Sequence, residues 1–310
     1  MKNIIINIKV VALLIIMNLF LSDTVYAQQD SQYTMYMYNT ANINPAYAGS
    51  RETLTTFMLH RNQWVGLDGA PVTNNVNINS TFGDSNFGWG LSFLNDRIGP
   101  TTENAISIDL AYFIQMSEKF KISVGLKGTA NLFNLDVSKL TIYDPTDEQF
   151  QNINTDFTPN VGTGLYLFSD KTYFGISIPN IFETKRYNDN EVSINKEKMH
   201  FYLIGGHVFE LSENLKFKPA FLTKAVEGSP LQIDLTGNFL INEKFTIGTS
   251  YRWDASISAL AGFQISDSWF IGYGYDMETT ELANYNSGSH EFFLRYEFFN
   301  KNRVSDPRFF

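Results

Sequence analysis

The sequence predicts an all-β protein, a transmembrane antiparallel β-barrel of about 14 strands with an N-terminal periplasmic segment. Polar and apolar residues alternate with period two, which gives each predicted strand one apolar face. The predicted strands run to about ten residues, near the roughly 9 to 11 that a tilted membrane strand requires. Short polar turns with aromatic residues on both sides recur, as in "FLINEKFTIG" (239–248) and "FQISDSWFIGYG" (263–274).

Residues 1–27 are predicted to be a secretory signal peptide outside the fold. Lys2 and Lys9 flank the apolar stretch "VVALLIIMNLFL", and the segment ends at Ala27. A basic start, a short apolar core and a small final residue are typical of such peptides. The apolar run is shorter than the roughly 20 residues of a spanning helix, although an N-terminal membrane anchor is the alternative.

The composition excludes some classes of function. The formal net charge is -9, and 15% of the residues are aromatic. An acidic chain lacks the basic surface that nucleic-acid binding requires, so no nucleic-acid partner is expected. The chain has no cysteine, which excludes disulfides and a lipid anchor on a cysteine.

The barrel is predicted to cover residues 54–299. In "KISVGLKGTANLF" (121–133), Val124 and Leu126 fall on one face and Ser123 and Lys127 on the other. We expect the apolar face to contact outer-membrane lipid and the polar face to line the lumen. The predicted strands are 54–65, 72–82, 87–95, 103–116, 119–133, 157–168, 171–180, 198–211, 214–226, 231–241, 244–253, 256–265, 269–277 and 288–299.

The turns predict the orientation of the barrel. Short turns follow only even-numbered strands, and longer connections follow odd-numbered strands. Short turns and both termini, including a tail at 300–310, are therefore expected in the periplasm, and long loops outside. Aromatic residues beside the short turns are predicted to form an outward-facing interfacial girdle: Phe120, Tyr166, Tyr173, Phe209, Phe239, Phe245, Phe263 and Trp269.

The segment 28–53 is too polar to span a membrane and is expected to lie in the periplasm. Asn44 and Pro45 initiate a turn, and Gly49 permits a tight bend before the first strand. Four tyrosines in this segment would be costly to leave exposed. Two interpretations stay open, an aromatic plug or rim clasp and a periplasmic docking segment.

The sequence predicts no enzyme, no metal and no cofactor. The four histidines, His60, His200, His207 and His290, lie far apart and show no metal-binding spacing. A Ser–His pair that meets only in space stays open as an alternative. The segment "DPTDEQFQNINTD" (144–156) lacks the glycine and terminal glutamate of a calcium loop, which favours a solvated acidic loop.

Several motifs point to one family. They are "NINPAYAG", "RNQW" followed by "GAP", the last strand "HEFFLRYEF" and the end "PRFF". Together they resemble the PorP/SprF family of type IX secretion system outer-membrane proteins over essentially the whole mature chain. The residues that match the family's motifs are Asn44, Pro45, Ala46, Tyr47, Gly49, Arg61, Trp64, Gly69, Pro71, Pro307, Arg308 and Phe310.

The resemblance implies a role in protein export rather than catalysis. One branch of the family resembles a core component that contacts other type IX components, the periplasmic ring and motor proteins. The other branch serves large surface proteins, including gliding adhesins, whose C-terminal sorting domains require a partner for secretion or surface retention. The branch and the cargo stay open.

The predicted lumen favours a partner over a conduit. A barrel of about 14 strands is narrower than porins of about 16 to 18 strands, which leave an aqueous channel. Inward Lys127, Arg252, Phe293 and Arg295 are expected to fill part of this lumen. A diffusion porin or small-solute uptake barrel and a soluble secreted all-β binding module are the alternatives.

Two sets of residues are candidates for specific roles. Arg61 is expected to point into the lumen and pair with an inward carboxylate. Trp64, three residues on, is expected to be an interfacial aromatic near the outer rim. The long loops 134–156 and 181–197 are expected to bind the sorting domain of the secreted cargo protein. The candidate contact residues are Tyr143, Phe150, Ile181, Phe182 and Tyr187.

Overall fold

Antiparallel strands close into a barrel in the computed structural model, which describes residues 31–139, 153–183 and 198–298. The strands are β1 (Leu54–Asn62), β2 (Val72–Thr81), β3 (Phe87–Ile98), β4 (Thr101–Gln115), β5 (Lys121–Leu135), β6 (Ile153–Phe168), β7 (Thr172–Ile178), β8 (His200–His207), β9 (Phe209–Ser212), β10 (Leu215–Val226), β11 (Gln232–Ile241), β12 (Phe245–Arg252), β13 (Ser256–Gln264), β14 (Trp269–Glu278) and β15 (Ser289–Phe298).

The ring closes between the first strand and the last. Each strand pairs with its neighbours in sequence, and β15 pairs with β1 along nine residue pairs, from Leu54–Phe298 to Asn62–His290. The segments β8 and β9 are two parts of one strand that is interrupted at Val208, since both pair with β10. The described residues therefore form a fourteen-stranded transmembrane barrel, which confirms the predicted fold class.

The predicted strands agree closely with those of the structure. Every predicted strand is present, and its ends lie within four residues of the expected positions; the largest difference is β6, which begins at Ile153. The faces of β5 also agree, because Val124 and Leu126 are 41% and 63% exposed on the outside, whereas Ser123 and Lys127 are buried inside. Period-two alternation is thus enough to place these strands and their faces.

The predicted aromatic girdle is only partly present. Phe239, Phe245 and Trp269 are exposed on the outer surface beside short turns, as expected. Tyr166 and Tyr173 were expected there too, but they are 2% and 4% exposed and face the lumen. Their neighbours along β6 and β7 are the outward residues, so the alternation turns both tyrosines inward.

The two ends of the barrel differ in their connections. We call the end where β1 begins and β15 ends the near mouth, and the opposite end the far mouth. The near mouth has only short connections among the described residues, and the far mouth carries the longest ones, at 136–152 and 179–199. The far mouth also has a two-residue turn, Gly99–Pro100, and a three-residue turn at 253–255, so the expectation that short turns follow only even-numbered strands is wrong.

Residues 31–53 fill the lumen, and we call them the plug. Apart from Asn42, every residue from Tyr33 to Arg51 is buried. The plug contains one turn of α-helix, Thr40–Ile43, and a 3-10 turn, Pro45–Tyr47. No helix of the described residues is long and apolar enough to cross a bilayer. The segment 28–53 was expected in the periplasm. Its residues 31–53 instead lie inside the barrel, which agrees with the interpretation of this segment as a plug.

The plug runs along the lumen from one mouth to the other. At the far mouth, Gln32 Nε2 donates to Gln232 Oε1 at 2.7 Å. At the near mouth, the Thr53 hydroxyl donates to the Phe298 carbonyl. The described chain therefore starts at the far mouth and ends at the near mouth. The expectation that both termini lie on one side is not met by the described ends.

Glycines let the plug backbone lie directly against the inner wall. A Cβ on Gly125 would overlap the backbone of Ala46, and one on Gly88 would overlap the Ala48 carbonyl. Gly49 has a φ of 77° and also lies close to the wall, so a side chain there would meet both strain and collision. The small residues of "NPAYAG" and the wall glycines are thus complementary.

Replacement of Gly125 by Leu is expected to displace the plug and open the lumen, because the new side chain needs the volume that Ala46 occupies. Flux of a small sugar into liposomes measures the opening. Gly128→Leu is the matched control, since Gly128 lies on the same strand with open space outside it. A folded Gly125→Leu barrel as closed as the control would contradict plug packing at this position.

Candidate functional site

An ion-pair cluster ties the plug to the wall near the far mouth. Arg61 on β1 is 1% exposed. Its Nη2 lies 2.6 Å from Asp276 Oδ2, and its Nη1 lies 2.9 Å from Glu291 Oε2. The same Nη1 donates to the Thr34 hydroxyl of the plug at 2.8 Å. We call Thr34, Arg61, Asp276 and Glu291 the Arg61 cluster.

The carboxylates of this cluster also bind the plug backbone. Glu291 accepts hydrogen bonds from the backbone N–H of Thr34 at 2.9 Å and of Met35 at 2.8 Å. The Thr34 hydroxyl donates to Asp276 at 2.6 Å. Charged partners make such bonds stronger than neutral ones, and burial makes them costly to leave unmade. The expectation that Arg61 points inward and pairs with a carboxylate is confirmed.

The first strand, which was predicted to run to residue 65, does not reach Trp64. β1 ends at Asn62, so Trp64 lies in the far-mouth loop, where its φ is 46°. The alternation of faces along β1 therefore does not determine the direction of its side chain. Its indole Nε1 donates to Glu278 at 2.9 Å, and its backbone N–H donates to Ser289 Oγ at 3.1 Å. Trp64 thus fixes the far-mouth loop against the last two strands, and its position in a lipid interface stays a prediction.

The "NPAYAG" motif forms the part of the plug that packs on the wall. The Asn44 side chain accepts from Ala46 N–H at 3.0 Å, which stabilises the turn, and donates to the Leu165 carbonyl at 3.0 Å. The Tyr47 ring packs edge-on against Tyr166, with centroids 5.5 Å apart. The sequence indicated the motif but not its wall partners, because the inward position of Tyr166 was missed.

Cations and aromatic rings close the lumen toward the near mouth. Tyr38 of the plug packs on Phe293 with ring centroids 4.8 Å apart, and Lys218 Nζ lies 5.0 Å from the Tyr38 ring centroid. The Arg295 guanidinium lies 4.7 Å from the Phe270 ring centroid. Cation–π contacts of this kind are strongest where water is excluded. The predicted filling of the lumen by inward side chains is confirmed for Lys127, Arg252, Phe293 and Arg295, all of which are buried.

Cavities lie on both sides of the plug along the lumen. The far vestibule is floored by Asn42 and Ile43 of the plug. The near vestibule is bordered by the plug residues Gly49, Ser50 and Glu52. The described residues that line one vestibule do not line the other, because the plug separates them.

The described residues contain no group of three or more His, Cys, Asp or Glu side chains that could hold a metal ion. Three of the histidines hydrogen-bond to polar side chains: His60 to Asn74, His207 to Thr172, and His290 to Tyr273. The segment 144–156 lies largely outside the described residues. The absence of catalysis stays a prediction.

Two of the five candidate partner-binding residues are described, and both lie at the far mouth. The Phe182 side chain is 53% exposed, and Ile181 precedes it. The Asn160 side chain accepts from the Phe182 N–H and donates to the Phe182 carbonyl, both at 2.9 Å, which fixes the start of this loop. Tyr143, Phe150 and Tyr187, and the motif residues Pro307, Arg308 and Phe310, lie outside the described residues.

Arg61→Met is expected to destabilise the barrel, since it leaves two buried carboxylates without their cation; loss of one partner of a buried pair costs about 3–5 kcal/mol. The heating temperature at which the barrel loses its compact mobility in detergent gels measures this effect. Arg97→Met is the control, because Arg97 is exposed at the same mouth. Equal transition temperatures for the two variants would contradict a retaining role for Arg61.

Comparisons with known proteins place the chain in a family. No curated protein matches the sequence significantly. Solved structures with a similar fold include the CymD monoaromatic hydrocarbon channel (12% identity, 91% of this chain and 95% of that chain, TM-score 0.49). Others are Acinetobacter baumannii Omp33 (6%, 80% and 100%, TM-score 0.47) and a Pseudomonas aeruginosa FadL homologue (11%, 90% and 96%, TM-score 0.46). At these identities the likeness does not extend to function.

The family model for the type IX secretion system membrane protein PorP/SprF matches residues 25–296, which is most of the chain. The match includes the plug motif "NPAYAG", the Arg61–Trp64 motif and the closing strand. The chain is therefore an outer-membrane β-barrel that belongs to the PorP/SprF family of type IX secretion proteins.

Proposed function

We propose that this protein is a non-enzymatic, non-conducting barrel that holds a secreted cargo protein at the cell surface through its C-terminal sorting domain. The observation that carries the proposal is the plug, which occupies the lumen from Gln32 at one mouth to Thr53 at the other. Family membership supplies the secretion context. Other type IX secretion components are then its partners within the membrane and periplasm.

The plug argues against the alternative of a diffusion porin. Solute flux would require residues 31–53 to leave the lumen, which would remove the hydrogen bonds that Arg61, Asp276 and Glu291 make to Thr34 and Met35 of the plug. It would also separate Tyr38 from the aromatic and cationic side chains around it. An export conduit meets the same obstacle, so a binding role fits the geometry better than transport through the lumen.

The orientation is part of the proposal: the near mouth faces the periplasm and the far mouth faces outward. This assignment is supported by the connections, which are short throughout the described near mouth and longest at the far mouth. The outward face then combines long loops with the exposed Phe182. The near mouth is then available to ring and motor proteins. Contact with these proteins is the role that the resemblance implies for the core-component branch of the family.

Cysteine labelling of whole cells tests the orientation. A membrane-impermeant maleimide is expected to label Asp68→Cys in a far-mouth loop and to leave Ser169→Cys, in a near-mouth turn, unlabelled. Because this chain has no cysteine, any label on it comes from the introduced residue. Labelling at 169 with protection at 68 would reverse the assignment.

Deletion of 181–197 tests the docking surface. The barrel is expected to fold, because β7 ends at Ile178 and β8 begins at His200, outside the deleted segment. We expect it to lose affinity for the cargo sorting domain in a pull-down and to release cargo into the medium. Replacement of 227–231 by a short turn is the control at the same mouth. Full affinity in the folded deletion variant would remove this loop as the docking site.

A further inference from the structure

A small cavity lies between the plug and the seam where β15 meets β1, toward the near mouth. Phe57 of β1 borders it and lies directly opposite Asn77 of β2 on one side and Arg295 of β15 on the other. The cavity has room for about one particle of the size of a water molecule. Its other lining residues in the described chain are Tyr38, Asn39, Ala41, Tyr47, Arg51, Thr55 and Asn79. The plug and the wall can therefore share one small ligand here.

The charges around this cavity do not balance. Its described lining residues include two arginines, Arg51 and Arg295, and no acidic residue. Both guanidinium groups pair with the same carboxylate, that of Glu297, and Arg295 Nε lies 3.5 Å from it. All three side chains are buried. Together they carry a formal charge of +1 inside the barrel, and a buried charge is costly unless an opposite charge lies close to it.

Two amide groups beside the arginines have hydrogen-bonding capacity that no described residue uses. The Asn77 Oδ1 accepts from Asn79 Nδ2 at 2.7 Å, but the Asn77 Nδ2 has no partner among the described residues. Neither amide atom of the Asn39 side chain, which is 2% exposed, has such a partner. Buried donors are rarely left unsatisfied. Two of them at one cavity therefore indicate a bound species that accepts hydrogen bonds.

We propose that one small inorganic anion, of the size of chloride, occupies this cavity and joins the plug to the seam. An anion accepts from the amide groups of Asn39 and Asn77 and balances the excess charge of the two guanidinium groups. A water molecule would satisfy the amides but leave that charge unmatched. A polyatomic anion such as sulfate is too large for a cavity of this volume. The bound anion holds the plug near the opposite end from the Arg61 cluster.

A salt comparison on the full-length purified barrel tests the proposal. The barrel is refolded in sodium chloride, in sodium bromide or in sodium gluconate at equal ionic strength. The temperature at which it loses compact mobility in detergent gels is expected to rise by about 5 °C in the halides, along a saturating curve. Gluconate is too large to enter the cavity. Equal transition temperatures in chloride and gluconate would overturn the proposal.

Asn77→Asp places a carboxylate in the cavity and supplies the negative charge from the chain itself. This variant is expected to lose its chloride dependence. Asn238→Asp is the matched control, because Asn238 is also a buried asparagine with no hydrogen-bond partner among the described residues for its amide. It lies directly opposite the buried Lys218 on β10 and does not line the cavity, so its chloride dependence is expected to stay. Chloride dependence in a folded Asn77→Asp barrel, or its loss in both variants, would contradict the proposal.

Crystals of the unmodified chain grown in bromide give a readout that does not depend on the folding of a variant. An anomalous peak is expected between the side chains of Asn39 and Asn77, beside the Arg295 guanidinium. A water molecule at this position without anomalous signal would overturn the assignment of an anion.

Discussion

The polar inner wall is the constraint on which the rest of the structure depends. A membrane barrel turns its apolar residues outward, so charges such as Arg61, Asp276 and Glu291 face inward and need partners. The plug meets part of this requirement, because Glu291 accepts two of its backbone N–H groups. The lumen is therefore built as a protein core with ion pairs.

The position of the plug inside the barrel explains why the family motifs contain these residues. Asn44 and Gly49 shape a turn that fits against glycines of the wall. Arg61 donates a hydrogen bond to Thr34, which precedes this turn in the plug. Asn44 and Arg61 are buried inside the barrel, and Gly49 borders the near vestibule. Their contacts keep the barrel filled.

Much of the fold could be predicted from the sequence, because alternation of polar and apolar residues determines both strand and face. The prediction failed at single residues. Tyr166 and Tyr173 face the lumen and not the outside. β1 ends at Asn62, which leaves Trp64 in a loop. The plug could not be distinguished from a periplasmic segment, since burial of its tyrosines fits either position. Its partners, such as Gly125, are contacts distant in sequence that no local pattern shows.

The position of the Arg61 cluster bears on how the molecule is assembled. Arg61 lies on β1, Glu291 on β15 and Thr34 in the plug, so the cluster spans the seam where the ring closes. Arg61 and Glu291 can pair only where the first and last strands meet, and Thr34 adds its bonds only when the plug lies against that seam. A closed barrel without its plug keeps the Arg61 ion pairs, but Glu291 loses the two backbone N–H groups that donate to it. Closure of the ring and filling of the lumen therefore stabilise the same set of side chains.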